Sequence, residues 1–214
     1  MDNRDLSQSR LEFHPLTPER WEDFETLFGP HGAYGGCWCM WWLIPHPQFN
    51  RQKGETNRQA LKQLVESGRV PGLLAYALDQ PLGGNSSTRR SVLAGRTQPA
   101  GWCALAPREA YVALENSRIL KPVDDQPVWS VVCFYVAKPY RRQGVASALL
   151  SAAIEYARGQ GANILEGYPV EPKKGQSPDI FVYTGLASTF RQLGFVEVAR
   201  RSETRPIMRY YFGE

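Results

Sequence analysis

One stretch of this 214-residue chain restricts the fold more than any other: Val128 to Gly159, VWSVVCFYVAKPYRRQGVASALLSAAIEYARG. Val128 to Val136 is almost wholly apolar and rich in β-branched and aromatic residues, which suits a strand buried on both faces in the middle of a sheet. A basic turn follows, with Lys138, Arg141 and Arg142, then Gly144 and Ala146. Ala146, Leu149, Leu150, Ala153, Ile154 and Ala157 recur at the three-to-four spacing of one helical stripe. Gly159 and Gly161 end the helix, with Arg158 in the last turn, where a cation faces the carbonyl end. A helix that begins in a glycine turn beside arginines combines unpaired N–H groups with positive potential. That is an anion site, and phosphate is the usual anion.

The length allows one good-sized domain, with 1–10 as a flexible tail. A hydrophobic fraction of 43% and a charged fraction of 21% are those of a globular protein. The net charge of +4 is consistent with an anionic ligand and too small and too spread out for nucleic acid. No apolar run approaches the roughly 20 residues of a membrane span, and the N-terminus has no apolar signal core. A cytoplasmic protein is expected, with Cys37, Cys39, Cys103 and Cys133 as reduced thiols. Nucleic acid and membrane are not expected partners; a homodimer is left open.

The remaining elements follow from local signals. Leu11 to Phe13 reads as a strand. Thr17 caps a helix with Pro18 at its first position and Trp21, Phe24, Leu27 and Phe28 inward. Gly32 to Pro45 holds three of the six tryptophans, Trp38, Trp41 and Trp42; rings at this density either pack a core or wall a substrate pocket. Cys37 and Cys39 with His46 have poor zinc spacing, so no metal is expected. Thr56 and Gln59 make a capping box for a helix with Ala60, Leu61, Leu64 and Val65 inward. Gly72 to Leu78 and Ala100 to Ala106 form a hairpin around a long mobile loop, 79–99. Ile164 to Tyr168 follows a helix and lies parallel to the central strand by a right-handed crossover. Thr184 to Leu193 is helical, with Leu186, Ala187, Phe190 and Leu193 inward, and Phe195 to Ala199 and Pro206 to Phe212 are the last strands. The class is α/β with a mixed sheet.

Three anion loops compete for the turn. A Walker loop needs Gly-Lys-Ser/Thr, which RRQGVAS lacks, and a dinucleotide loop needs three spaced glycines. Arg141-Arg142-Gln143-Gly144-Val145-Ala146 instead matches the R/Q-x-x-G-x-G/A pyrophosphate loop of the GCN5-related N-acetyltransferases (GNAT). Phe134 to Leu150 resembles that family's strand–loop–helix signature throughout, and Gly194-Phe195 is similar to its second signature. The resemblance spans the chain from about Leu73 onward, and the N-terminal helices more loosely.

The resemblance implies a single GNAT-like domain over 1–214, antiparallel in its N-terminal half, with the central parallel strands splayed around coenzyme A. It implies acetyl-CoA as acyl donor, no metal, and direct transfer to a primary amine, of a small molecule more readily than of a protein. Arg141, Arg142, Gln143, Gly144, Val145 and Ala146 would hold the pyrophosphate; Phe134, Tyr135 and Val136 would supply the strand edge for pantetheine, and an amide there would polarise the thioester carbonyl. Trp38, Trp41 and Trp42 would wall the acceptor side. Many members place a Tyr four residues before Gly-Phe as general acid and an Asn seven residues earlier; here these are Phe190 and Tyr183. The strand position of a Glu base in some members is Ser130. Tyr183 and Glu166 are therefore the catalytic candidates, with Tyr168 beside them, and Glu166 has a salt bridge as its competing role. A non-catalytic acyl-CoA-binding or sensor domain is the alternative that Phe190 and Ser130 motivate.

Overall fold

The computed structural model describes residues 11–78, 97–173 and 182–213. The expected tail and most of the 79–99 loop lie outside these, although Gln98 and Pro99 belong to a strand. Seven strands form one sheet: β1 (Leu11–Pro15), β2 (Gly72–Ala77), β3 (Gln98–Pro107), β4 (Trp129–Val136), β5 (Ile164–Gly167), β6 (Val196–Arg200) and β7 (Pro206–Tyr211), in the order β1-β2-β3-β4-β5-β7-β6. β1 to β4 pair antiparallel, β4 and β5 parallel, and β5, β7 and β6 antiparallel. The β2–β3 hairpin and the parallel pair stand where the sequence pattern puts them.

Helices cover both faces. On one lie α1 (Trp21–Phe28) and α3 (Glu55–Glu66), with the Trp-rich turn and the short α2 (His46–Arg51) and α4 (Val112–Glu115). On the other lie α5 (Val145–Gly159) and α6 (Ala187–Gln192). α5 buries Val145, Ala148, Leu149, Leu150, Ala153, Ile154 and Ala157. Its leucines and isoleucine each contribute about 1.5–3 kcal/mol of burial, so packing rather than propensity holds the helix on the sheet. Ala146, expected on this stripe, is exposed on the first turn. Among the described residues no helix is long and apolar enough to cross a membrane.

Three local expectations are corrected. Thr17 precedes a 3₁₀ turn, Pro18–Arg20, and its side chain caps nothing; α1 begins at Trp21. α3 has Gly54, not Thr56, at its N-cap, and Gln59 donates to Glu55 Oε1 at 3.1 Å instead of closing a capping box. Gly54 wins because its N–H reaches Gly36 O at 3.0 Å, tying the helix start to the Trp-rich turn. α6 starts at Ala187, and Leu186 is exposed.

Candidate active site

The start of α5 is an open donor site. Gly144 is the N-cap at φ 81°, ψ 0°, in the left-handed region that glycine adopts without cost, and no side chain caps the helix. The N–H groups of Val145, Ala146 and Ser147 therefore have no helical partner. Arg142, at φ 60°, is left-handed too, at a cost of roughly 1–2 kcal/mol for a residue with a Cβ. Arg141, Arg142, Gln143 and Gly144 are exposed. The loop is tied to the strand before it: Arg141 Nε donates to Val136 O at 3.0 Å and Gln143 Nε2 to Pro139 O at 2.7 Å. The basic loop residues thus precede an exposed, uncapped helix start, where free N–H groups and positive charge coincide.

β4, the strand before this loop, is linked to a cavity through Tyr183. A register shift between Ala104 and Leu105 leaves Val132 unopposed, a β-bulge that re-aims the strand beyond it. The ladder to β5 ends at Val131, so the strand edge from Val132 to Val136 is not covered by β5. The Phe134 amide on that edge is not left for a ligand: it donates to Tyr183 O at 2.6 Å.

The cavity, of about 520 Å³, lies on the α1/α3 side of the sheet. Trp41, Trp42, Pro45, His46 and Pro47 form one wall, Ala113, Asn116, Ser117, Ile119 and Leu120 another, and Tyr183 and Arg205 complete it. Its volume is that of small-molecule pockets. Trp41 and His46 are stacked at 3.9 Å. Tyr183 links the two regions, since its residue lines the cavity while its carbonyl meets the β4 edge. Burial pushes the Tyr183 phenol up to about 12, so it stays protonated at neutral pH.

With this arrangement in view, comparison with known proteins decides the family. A family model described as the acetyltransferase (GNAT) family matches residues 59–172, more than half of the chain. The chain belongs to that family. GNAT enzymes use acetyl-CoA and no metal, and among the described residues of this GNAT chain no cluster of three metal-ligating side chains occurs. No curated protein matches its sequence significantly. Similar solved structures include an acetyltransferase of the GNAT family from Listeria monocytogenes, 9% identical, covering 94% of this chain and 95% of that one with a TM-score of 0.53. A histone acetyltransferase HPA2 and related acetyltransferase from Corynebacterium glutamicum is 16% identical over 96% and 98%, with a TM-score of 0.50. A NatC complex bound to Gag peptide and CoA is 10% identical over 95% and 99%, with a TM-score of 0.50. These likenesses show the fold.

The tryptophans of this GNAT chain divide. Trp41 and Trp42 line the cavity. Trp38 does not: it stacks on Phe28 at 5.9 Å within the core. A Cβ at Gly32 would stand 2.5 Å from its indole nitrogen, so only glycine fits there. Cys39 beside it accepts the Trp102 indole N–H at 3.0 Å.

Glu166 is fully buried and lies outside the cavity lining. Its Oε1 accepts from Arg108 Nη1 at 3.2 Å and from the Tyr168 hydroxyl at 2.7 Å, and its Oε2 from Arg209 Nε at 2.7 Å. Ser130 and Tyr168 hydroxyls lie 2.9 Å apart, and Arg209 continues to Asp124 at 2.6 and 3.0 Å. This is the salt-bridge role that competed with catalysis, and it has a use: Arg108 Nη2 also holds Leu120 O, at 2.9 Å, and Leu120 is cavity wall. Phe190 is fully buried, edge-on to Phe134 and Phe195. Burial, then the neighbouring Cys39, pushes the Cys37 thiol up to about 12, and the bond with Cys39, then burial, raises Cys133 well above its ordinary value. Neither is a thiolate at neutral pH. Sequence reasoning missed Arg205, Asn116, Ser117, Ile119 and Leu120. They sit in connections with no periodicity, and only the fold brings them to one wall.

Proposed function

We propose that the protein transfers an acetyl group from acetyl-CoA directly to the primary amine of a small molecule seated in the cavity. The observation that carries this is Tyr183, which lines the aromatic cavity and whose carbonyl meets the β4 edge that β5 leaves uncovered, on the strand that runs on to the uncapped, basic start of α5. The similar fold of the NatC structure, bound to CoA, supports the first half. The N–H groups from Arg142 to Ala146 and the loop arginines would bind the pyrophosphate, and the β4 edge at Phe134, Tyr135 and Val136 would face pantetheine, with the Phe134 amide exchanging its bond to Tyr183.

When bound, acetyl-CoA supplies an activated acyl carbon, whose C–S bond breaks as the C–N bond to the amine forms. The cavity orients the amine and keeps it beside β4. Tyr183, protonated at neutral pH, would give its proton to the leaving sulfur and recover one from water. No carboxylate lines the cavity among the described residues, so the amine's proton passes to water. The protonated state of Cys37 and Cys133 speaks against an acyl-enzyme.

Two results follow. Initial-rate lines at several fixed amine concentrations should intersect, as for a ternary complex; parallel lines would mean a covalent intermediate. Tyr183→Phe should lower kcat by about 100-fold with little change in KM; an unchanged kcat removes its role as acid. The raised Tyr183 value also sets a stability window. Unfolded tyrosine ionises near pH 10, so this contribution is intact below that and is lost as the pH rises to about 12. The overall assignment is tested by mass spectrometry of an amine panel incubated with acetyl-CoA: acetylated amine is expected, and binding of acetyl-CoA without product from any amine would leave a non-catalytic acyl-CoA sensor.

A further inference from the structure

The cavity-lining residues include polar groups that have no partner among the described residues. Trp42 is 7% exposed, and its buried indole N–H donates to nothing among the described residues. His46 Nε2 is buried and unpartnered as well. Arg205 places Nη1 on the Thr184 hydroxyl at 2.9 Å, and among the described residues no carboxylate forms an ion pair with it. An indole N–H and a guanidinium only donate; an imidazole nitrogen does either, according to tautomer. Among the described residues no Asp or Glu lines this cavity. Buried donors are ordinarily satisfied, and a wall with an unpartnered indole N–H and a guanidinium that has no carboxylate partner among the described residues is complementary to an anion that brings acceptors. Around them the lining is apolar, from Trp41, Pro45, Ile119 and Leu120.

Resting on the assignment of acetyl transfer above, the geometry points to an acceptor that carries a carboxylate as well as its amine, joined to an apolar or aromatic body: an amino-acid-like molecule. Arg205 neutralises the carboxylate, the Trp42 indole N–H donates to it, and His46 Nε2 supplies the third polar contact. The apolar body lies against Trp41 and Leu120. Tyr183, at the β4 side of the same cavity, is where the amine meets the donor. A plain hydrophobic amine would leave Arg205 and Trp42 desolvated and unpaired, and is disfavoured for that reason.

The test compares phenylalanine and leucine with their amides and their decarboxylated amines, so that amine and apolar body are kept while the carboxylate is removed. The wild-type protein should show kcat/KM at least tenfold higher for the amino acids, and Arg205→Gln should bring each set of three level, chiefly by raising KM for the amino acids. Tryptophan fluorescence provides a readout without turnover. N-acetylphenylalanine should quench saturably and its amide should not, and Arg205→Gln, shown folded by its thermal melt, should lose the response. Equal turnover of acids, amides and amines overturns the carboxylate site while leaving acetyl transfer standing. Turnover of none counts against acetyl transfer to this class, and the fluorescence arm then decides alone: Arg205-dependent quenching upholds a carboxylate site, and its absence overturns it.

Discussion

Gly144→Asp should abolish coenzyme A binding while the protein stays folded. Two effects act together. Gly144 is at φ 81°, where any residue with a Cβ is strained by roughly 1–2 kcal/mol. The new carboxylate would also stand at the helix start, where the pyrophosphate is to bind. Like charges about 4 Å apart near a protein surface repel by about 4 kcal/mol, and each 1.4 kcal/mol is about tenfold in affinity. A loss of at least ~100-fold is therefore a conservative expectation. The fold should survive, because that strain is small beside the stability of a domain and an anion suits a helix N-terminus. Calorimetric titration with CoA measures the loss, and a thermal melt checks the fold. Unchanged affinity would mean that the anion site is elsewhere.

Glu166→Ala should be the most destabilising single change in the molecule. It leaves Arg108 and Arg209, 7% and 2% exposed, without their shared carboxylate. Breaking a buried pair by removing one partner costs about 3–5 kcal/mol. For a chain of this size that lowers Tm by on the order of 10 °C. Glu166→Gln keeps one acceptor oxygen and should lose less. Because Arg108 also holds the Leu120 carbonyl, the damage should reach the acceptor cavity before the CoA loop, raising KM for amine more than for acetyl-CoA in the Gln variant. A full-stability Glu166→Ala protein with collapsed kcat would reverse the assignment and make Glu166 the base.

The helix start proposed to hold the donor is legible in the sequence because its physics is local. A glycine at the N-cap, a helical stripe behind it and a strand before it need no knowledge of the rest of the fold, and the elements from β2 to β7 stand close to where their periodicities put them. The acceptor half is not local. Trp38, Trp41 and Trp42 look alike in sequence, yet the left-handed Trp38, at φ 45°, is core, and the other two are cavity wall. Arg205 lies in a polar connection that nothing distinguishes from a solvated one. Glu166 signals only that a buried acid needs a partner; Arg108 and Arg209 are 58 and 43 residues away. α2 escapes notice because its six residues are too few to show a helical stripe; Pro47 lies within its first turn, where proline is tolerated. Phe190 follows the opposite course: its sequence position implies a catalytic tyrosine, and its environment of Phe134, Phe195 and a close-packed Gly167 leaves no room for a polar role.

The account joins two regions, the open start of α5 and the Trp41/Trp42 cavity, at Tyr183. A crystal structure with coenzyme A bound tests that junction most directly. The pyrophosphate should accept from the N–H groups of Gly144 to Ala146, and the sulfur should lie at the mouth of the cavity within hydrogen-bonding reach of the Tyr183 hydroxyl. Coenzyme A bound away from α5, or bound there with its sulfur turned from the cavity, would contradict it.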